Sequence, residues 1–393
     1  RDSRIAERES IVQAWASRHD DDYLRAAVHD LPDGLLTGWT LGVKDVIDTS
    51  DLGTERGSPI YSGRTTVNDA ACVALARRAG ALVVGKTRTT EFALFTPTAT
   101  TNPYDPTRTP GGSSSGSAAA VADGMVRFAF GTQTVGSVIR PAAFCGTVGF
   151  KGTHQFVPMT GIGTLAQSLD TLGWFTRDVD DAGIVYSALT GDPVADLPRQ
   201  PRIGVYRSHQ WPSAQPELAG VMDEAASALS DAGADMIEME PLPALDGLFS
   251  AANTVLLYEA AMVFGWERRT HWDLISPLLQ RMLENSDNVV TADYGAAHRL
   301  VVGARRGYQD HLTGQGIDAL LTPSAPGEAP PIKTTGDSVF NREWTTLGVP
   351  AVALPTGRGP LGLPVGVQLT GLRWADAHLL AVARWAEQAL ASN

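Results

Sequence analysis

Residues 109–152 read TPGGSSSGSAAAVADGMVRFAFGTQTVGSVIRPAAFCGTVGFKG, and the reading of this stretch decides the fold. Two Gly/Ser loops lie inside it, Gly111 to Ser117 and Thr132 to Ser137. Ser117 to Ala122 is alanine-rich and predicts a tightly packed helix, because alanine costs no side-chain entropy there and lets neighbours approach. The apolar run Phe128 to Phe130 predicts a buried strand leading into the second loop. Serine hydroxyls therefore sit on glycine-freed backbone beside rigid elements. Glycine permits close approach and positive φ, so several N–H groups can converge on one point, as an oxyanion hole requires. The bland alternative is a pair of linkers or turns. Linkers border polar, exposed sequence, whereas hydrophobic segments flank both of these loops.

Composition narrows the classes. The chain has 393 residues, 43% of them apolar, and a net charge of −12. That supports a sizeable core in one large domain or two ordinary ones. Without a run of Lys or Arg, a nucleic-acid or anionic-membrane surface is not expected. No apolar stretch approaches the roughly 18 residues of a membrane span, and the opening RDSRIAERES has no signal-peptide core. The two cysteines, Cys72 and Cys145, make no disulfide framework and suit a reducing compartment, so a cytoplasmic location is expected. Cys145, in the run AAFCG, reads as a small core residue. The histidines show neither HExxH nor paired Cys/His spacing, so no metal site is expected.

Outside the central stretch, strands alternate with helices. Ile5 to Trp15 has near-helical apolar spacing. Trp39 to Ile47 predicts a strand containing Lys44. Asp69 to Ala79 predicts a helix stopped by Gly80, followed by a strand from Ala81 to Val84 that ends at Gly85-Lys86. Ala93 to Arg108 reads as loop, and Val179 to Leu189 as helix. Arg202 to Tyr206, Glu217 to Leu229 and Met236 to Met239 form a further strand–helix–strand unit. Leu245 to about Leu312 is mostly helical and reads as a layer or cap on the sheet. Ala319 to Leu321, Val349 to Leu354 and Val365 to Leu369 close the strand set, with a last helix from Ala375 to Leu390. The alternation predicts an α/β fold with a mostly parallel sheet.

Lys44, Ser113 and Ser137 can act together. A serine hydroxyl needs a base, and no histidine sits in a motif. A buried lysine can serve, because desolvation disfavours its charged form. Lys44 lies among valines, which fits. Its alternative role is a strand-end lysine paired with Asp45 or Asp48, and Lys86 is a rival base. Gly112 to Gly116 fits G-x-S-x-G, but the nucleophile elbow needs a strand before it, and DPTRTP precedes it here. Gly161 to Ala166 fits GxGxxA without a clean strand ahead of it.

TPGGSSSGSAAAVADGM and GTQTVGSVIRPAAFCG together closely resemble the amidase signature family. GVKDVID, ALVVGKTRTTEFA, SLDTLGWFTRDVDDA and LGVPAVALPTG with GLPVGVQLTG are similar to further family segments, in order along most of the chain. The resemblance implies one α/β/α domain over residues 1–393 around a central mixed sheet, with helices on both faces. It also implies a Ser–Ser–Lys triad that hydrolyses amides or related carbamates without a cofactor. By motif, Ser137 matches the nucleophile, Ser113 the serine held by a cis peptide bond, and Lys44 the base. The backbone N–H groups of Thr134, Val135, Gly136 and Ser137 match the oxyanion hole. Phe95, Thr96 and Ile162 are candidate substrate-wall residues. The expected partner is a small amide or carbamate, with no nucleic acid or membrane and room for a homodimer. Some family members instead feed ammonia to a partner that amidates aminoacyl-tRNA. The chain departs from the common pattern at Gln133 (Asp), Val135 (Gly) and Ile139 (Arg), the arginine arriving at Arg140. The loss of Asp and Arg together reads as one ion pair removed as a unit.

Overall fold

The computed structural model describes residues 2–391. Its strands are β1 (Trp15–Arg18), β2 (Thr40–Lys44), β3 (Leu82–Thr87), β4 (Phe128–Gln133), β5 (Val148–Lys151), β6 (Thr171–Thr176), β7 (Arg202–Tyr206), β8 (Asp235–Met239), β9 (Ala319–Pro323), β10 (Ala351–Arg358) and β11 (Pro364–Thr370). Among the described residues they form one 11-stranded sheet in the order β1-β3-β2-β4-β6-β5-β10-β11-β9-β7-β8.

The sheet is mixed, as expected, but mostly antiparallel rather than mostly parallel. β2 pairs in parallel with β3 and β4, and β7 with β8 and β9. Every other neighbour pair is antiparallel. Parallel pairing follows helical crossovers, which the chain makes through Ala71–Arg78 and Glu217–Asp231. The centre is built differently. β10 turns straight into β11 at residues 359–363, and β5 reaches β6 through a long loop.

Residue size on the two faces decides what covers each of them. Leu41, Val43, Phe128, Phe130, Trp174, Val352 and Leu354 point into one core, shared with helices Ala71–Arg78, Val179–Thr190, Glu217–Asp231 and Asp376–Ala391. The alternate residues Gly42, Ala129, Gly131, Gly149, Ala351 and Ala353 are small. Successive strand residues face opposite sides, so this second face is shallow. Helices Ser115–Ala122 and Ile139–Cys145 press against it, burying Ala118 to Val121, Ile139, Ala142 and Cys145. A Cβ on Gly149 would lie 2.6 Å from Ala142 Cβ, and one on Gly131 2.9 Å from Ser114 Oγ.

Helices Leu248–Val263, Pro277–Ser286 and Thr291–Gln315 build a separate apolar cluster, and the short helix Gly265–Thr270 lies between the first two in sequence. It reaches the sheet through Tyr206 and Leu320, takes in Trp344 of helix Arg342–Leu347, and includes Val135 and Phe92. These helices occupy the segment expected to be a cap-like layer. Two local expectations change. The first helix spans Asp2–Val12, and Trp15 instead opens the edge strand β1. β4 runs on through Thr132 and Gln133, which the glycine-rich pattern had assigned to the loop.

Close packing on the small-residue face gives opposite signs to two Gly→Ala changes in helices. A Cβ at Gly116 would sit 2.1 Å from Ala14 O and 2.5 Å from Arg88 N, both backbone atoms. Exposed Gly220, in helix Glu217–Asp231, has nothing within 4 Å. Gly116→Ala should lower the urea midpoint by an amount equivalent to ~1–3 kcal/mol. Gly220→Ala should raise it by ~0.4–1 kcal/mol through helix propensity and the unfolded-chain entropy.

Candidate active site

The short strand β2 carries Lys44 at its end, beyond Gly42 on the shallow face. The side chain is fully buried, and its Nζ lies 2.7 Å from Ser113 Oγ and 2.8 Å from Thr132 Oγ1, with Thr132 O at 3.4 Å. No carboxylate stands within ion-pair distance among the described residues. An unpaired buried ammonium costs several kcal/mol, so the amine is favoured uncharged. Burial is the chief cause that holds the Lys44 pKa well below its ordinary value. Asp170 acts against it, and the nearby charge of Arg140 acts with it.

Ser113 is fully buried and follows a cis peptide bond from Gly112. Its carbonyl accepts from Thr90 N at 3.2 Å, and the Gly112 carbonyl accepts from the buried Arg140 guanidinium. The neighbouring serines are committed elsewhere. Ser114 Oγ donates to Thr132 O, Ser115 Oγ to Gly111 O and Ser117 Oγ to Phe130 O. Ser114, the residue a nucleophile elbow would use, thus serves as a strap onto β4, and loop rather than strand leads directly into it.

Ser137 stands in the turn between β4 and helix Ile139–Cys145 and is 4% exposed. Its hydroxyl bonds no other described residue, and neither do the N–H groups of Val135, Gly136 and Ser137. The next two amides, Val138 and Ile139, both donate to Gln133 Oε1, at 2.9 and 3.0 Å. Gln133 Nε2 donates to Thr345 Oγ1, which in turn bonds the Val135 carbonyl. Here lies the physical sense of the coupled departure at 133 and 139. A neutral amide caps the turn, Ile139 is buried in the apolar cluster, and Arg140 reaches Gly112 instead. The third departure is packed too, since Val135 enters the cluster of Phe92, Leu94 and Leu165. Gly136 has no room for a side chain, because a Cβ would lie 2.6 Å from Asn341 Oδ1 and 2.7 Å from Ser338 Cβ.

The rival base, Lys86, is also buried. It donates to the Ile47 carbonyl and, at 2.7 Å, to Thr54 Oγ1, and stands 3.7 Å from Asp45. Asp45 is therefore the partner of Lys86 rather than of Lys44. Burial pushes the Lys86 pKa down to about 8, with Asp45 partly offsetting it. The three substrate-wall candidates go to three places. Phe95 lines a cavity of about 490 Å³ with Phe144, Ser338 and Arg342. Thr96 lines another of about 400 Å³ and bonds Ser276. Ile162 bridges to Ile47 within the core. Sequence reasoning missed Thr132, Gln133 as a cap, Asp170 and Thr345. The motifs hold Gln133 and Asp170 but do not show their bonds, and Thr132, Asp170 and Thr345 act across the sheet or from a distant segment.

A family model described as Amidase matches residues 8–380. The chain belongs to the amidase family, whose members are enzymes acting on carbon–nitrogen bonds. A glutamyl-tRNA(Gln) amidotransferase subunit from Symbiobacterium thermophilum is 32% identical, over 98% of this chain and 91% of its own length. That alignment runs over 449 residues, more than this chain contains, so the relative carries internal segments absent here. A crystal structure of an amidase superposes with a TM-score of 0.88 at 29% identity, over 98% of this chain and 94% of that one. The peptide amidase from Stenotrophomonas maltophilia gives 0.81 at 29% identity, over 98% and 91%.

Only four lysines occur in the sequence, at 44, 86, 151 and 333, and the first three are fully buried. Lys151 donates to Gly152 O and Val349 O, and burial pushes its pKa down to about 7. In the unfolded chain all three lysines hold a proton up to roughly pH 10.4. The unfolded state therefore binds more protons above pH 7, and stability must rise with pH there. Glu343 and Glu387, both raised to about 7 by burial, pull the other way but are nearly ionised by pH 8. The urea midpoint should increase from pH 7 to pH 8; a flat or falling midpoint would show that these lysines fold with their protons on.

Proposed function

We propose that the chain cleaves a carboxamide, or a related carbamate, through Ser137, Ser113 and Lys44. The observation that carries this reading is the buried Lys44 amine, 2.7 Å from Ser113 Oγ and without an acidic partner among the described residues. Family membership and the motif around residue 137 support Ser137 as the nucleophile. In the proposed cycle, uncharged Lys44 takes the Ser113 proton while Ser113 takes that of Ser137. Ser137 Oγ attacks the carbonyl carbon. The unpaired N–H groups of Val135, Gly136 and Ser137, together with that of Thr134, stabilise the oxyanion. Lys44 then returns its proton through Ser113 to the departing nitrogen. Water, activated by the same relay, frees the acid and restores Ser137. The cavity beside Phe95 is the proposed substrate side, since Ser338 of its wall packs on Gly136.

The relatives matched by sequence at 30–32% identity favour a second setting for the same chemistry. They are amidotransferase subunits, so the chain would release ammonia for a partner protein to use rather than work alone. Incubating the purified chain with aryl, alkyl and glutamine-type amides separates the two settings. Ammonia or amine released by the chain alone supports a self-sufficient amidase; release only after a partner is added supports the subunit.

In either setting Ser137→Ala should abolish turnover, and Lys44→Ala should remove nearly all of it while the protein stays folded. Ser113→Ala should lower the rate by ~10²–10⁴-fold, the usual worth of a positioned proton relay. Activity should be low in acid and rise as Lys44 loses its proton, because only the amine accepts one. Turnover that survives Ser137→Ala would overturn the assignment.

A further inference from the structure

Asp170 ends the turn before β6 and is 4% exposed. Three donors converge on its carboxylate. Thr134 Oγ1 donates to Oδ1 at 2.6 Å, and the Leu165 and Ala166 amides donate to Oδ2 at 2.7 and 3.0 Å. No arginine or lysine stands within ion-pair distance of it among the described residues. The strand register explains its placement. β4 lies between β2 and β6, with Gln133 opposite Thr171 and Thr132 opposite Leu172. Asp170 therefore lies beside Thr134, two residues beyond Thr132, which touches the Lys44 amine, and three before Ser137. The carboxylate and the amine sit on opposite flanks of one strand end, both buried.

We propose that Asp170 is a positioning residue of this site: through Thr134 it fixes the loop that carries Ser137, and its buried carboxylate is the counter-charge against which Lys44 takes up a proton. The inference rests on the Ser–Ser–Lys reading. When Lys44 becomes an ammonium, burial makes that charge costly, and a negative group one strand away lowers the cost without an ion pair to fix the proton permanently. A direct carboxylate contact would hold lysine charged and silence it as a base; three donors tie Asp170 away from that contact. The other charged groups facing the pair are few. Arg140 acts on Lys44. Glu259, on helix Leu248–Val263, acts on Asp170 and is itself bonded by Ser168 N and Tyr294 Oη, with His298 3.8 Å away. His154 contacts the Gln167 carbonyl of the same turn. Burial raises the Asp170 carboxyl to about 6 against the pull of its three donors, so it is ionised at neutral pH.

Asp170→Asn keeps the shape, because an amide oxygen can accept from Leu165 and Ala166 while its NH₂ donates to Thr134. The readout is the rate at which phenylmethanesulfonyl fluoride labels Ser137 between pH 5 and 9, with the label located by peptide mapping; it needs no knowledge of the substrate. Removing the negative charge weakens proton uptake by Lys44, so the acid limb should move to lower pH by about one unit or more. The plateau rate should fall about tenfold. Thr134→Val should lower the plateau and Thr134→Ser restore it, and these variants decide the matter if Asp170→Asn fails to fold. A folded Asp170→Asn protein with the wild-type acid limb, or a Thr134→Val protein with the wild-type plateau, would overturn the inference. A label that maps elsewhere than Ser137 in the wild-type protein would instead overturn the catalytic reading, so the two failures are distinguishable.

Discussion

The buried amine of Lys44 is the constraint on which the rest of the site depends. It lies 2.7 Å from a serine hydroxyl and, among the described residues, within ion-pair reach of no carboxylate. In water a lysine is charged at neutral pH and is useless as a base. Inside the sheet, desolvation outweighs the single distant carboxylate, and the amine is favoured without its proton. Asp170 opposes that condition, while the bonding of the adjacent residues keeps it. Asp45, the acid next in sequence, is engaged by Lys86 instead. Ser114, Ser115 and Ser117 are spent on carbonyls, which leaves Ser113 as the hydroxyl facing the amine.

Such burial requires a face of the sheet where a helix can lie close. Glycine and alanine at alternate positions of the central strands provide it, and the Ala-rich helix after Ser113 completes the fit. The same close packing brings the Ser113 loop and the Ser137 turn together over one strand end. Arg140 links the two directly, since it follows Ser137 in sequence and holds the carbonyl before Ser113. Fold and site are thus one packing solution. The larger side chains on the opposite face supply the apolar core that stabilises it.

Much of this was legible in the sequence. The valines around Lys44 marked a core strand, and the Gly/Ser loops flanked by apolar runs marked tight backbone turns. The strand–helix–strand units at β2–β3 and β7–β8 were visible from periodicity. What failed was the extension of their parallel pairing to the whole sheet, because pairing at the centre is set by short turns and long loops that periodicity does not encode. Thr132 and Gln133 read as loop because glycine and threonine dominate there, yet they are paired strand residues with buried side-chain bonds. Asp170 lay in the quoted segment SLDTLGWFTRDVDDA without any sign of its role, and only the fold sets it against Thr134 and Thr345 against Gln133. The bonds that engage Lys86 likewise depend on the position of Thr54 and the Ile47 carbonyl.

The charge state of Lys44 at working pH is the most direct test. With only four lysines in the chain, ¹⁵Nζ-lysine labelling gives a sparse NMR spectrum, in which the Lys44 signal is assigned by its loss in Lys44→Ala. At a pH where Ser137 is fully reactive, the account predicts that Lys44 resonates as a neutral amine, and that its titration coincides with the acid limb of Ser137 reactivity. A Lys44 signal that remains an ammonium throughout the range of full reactivity would contradict it.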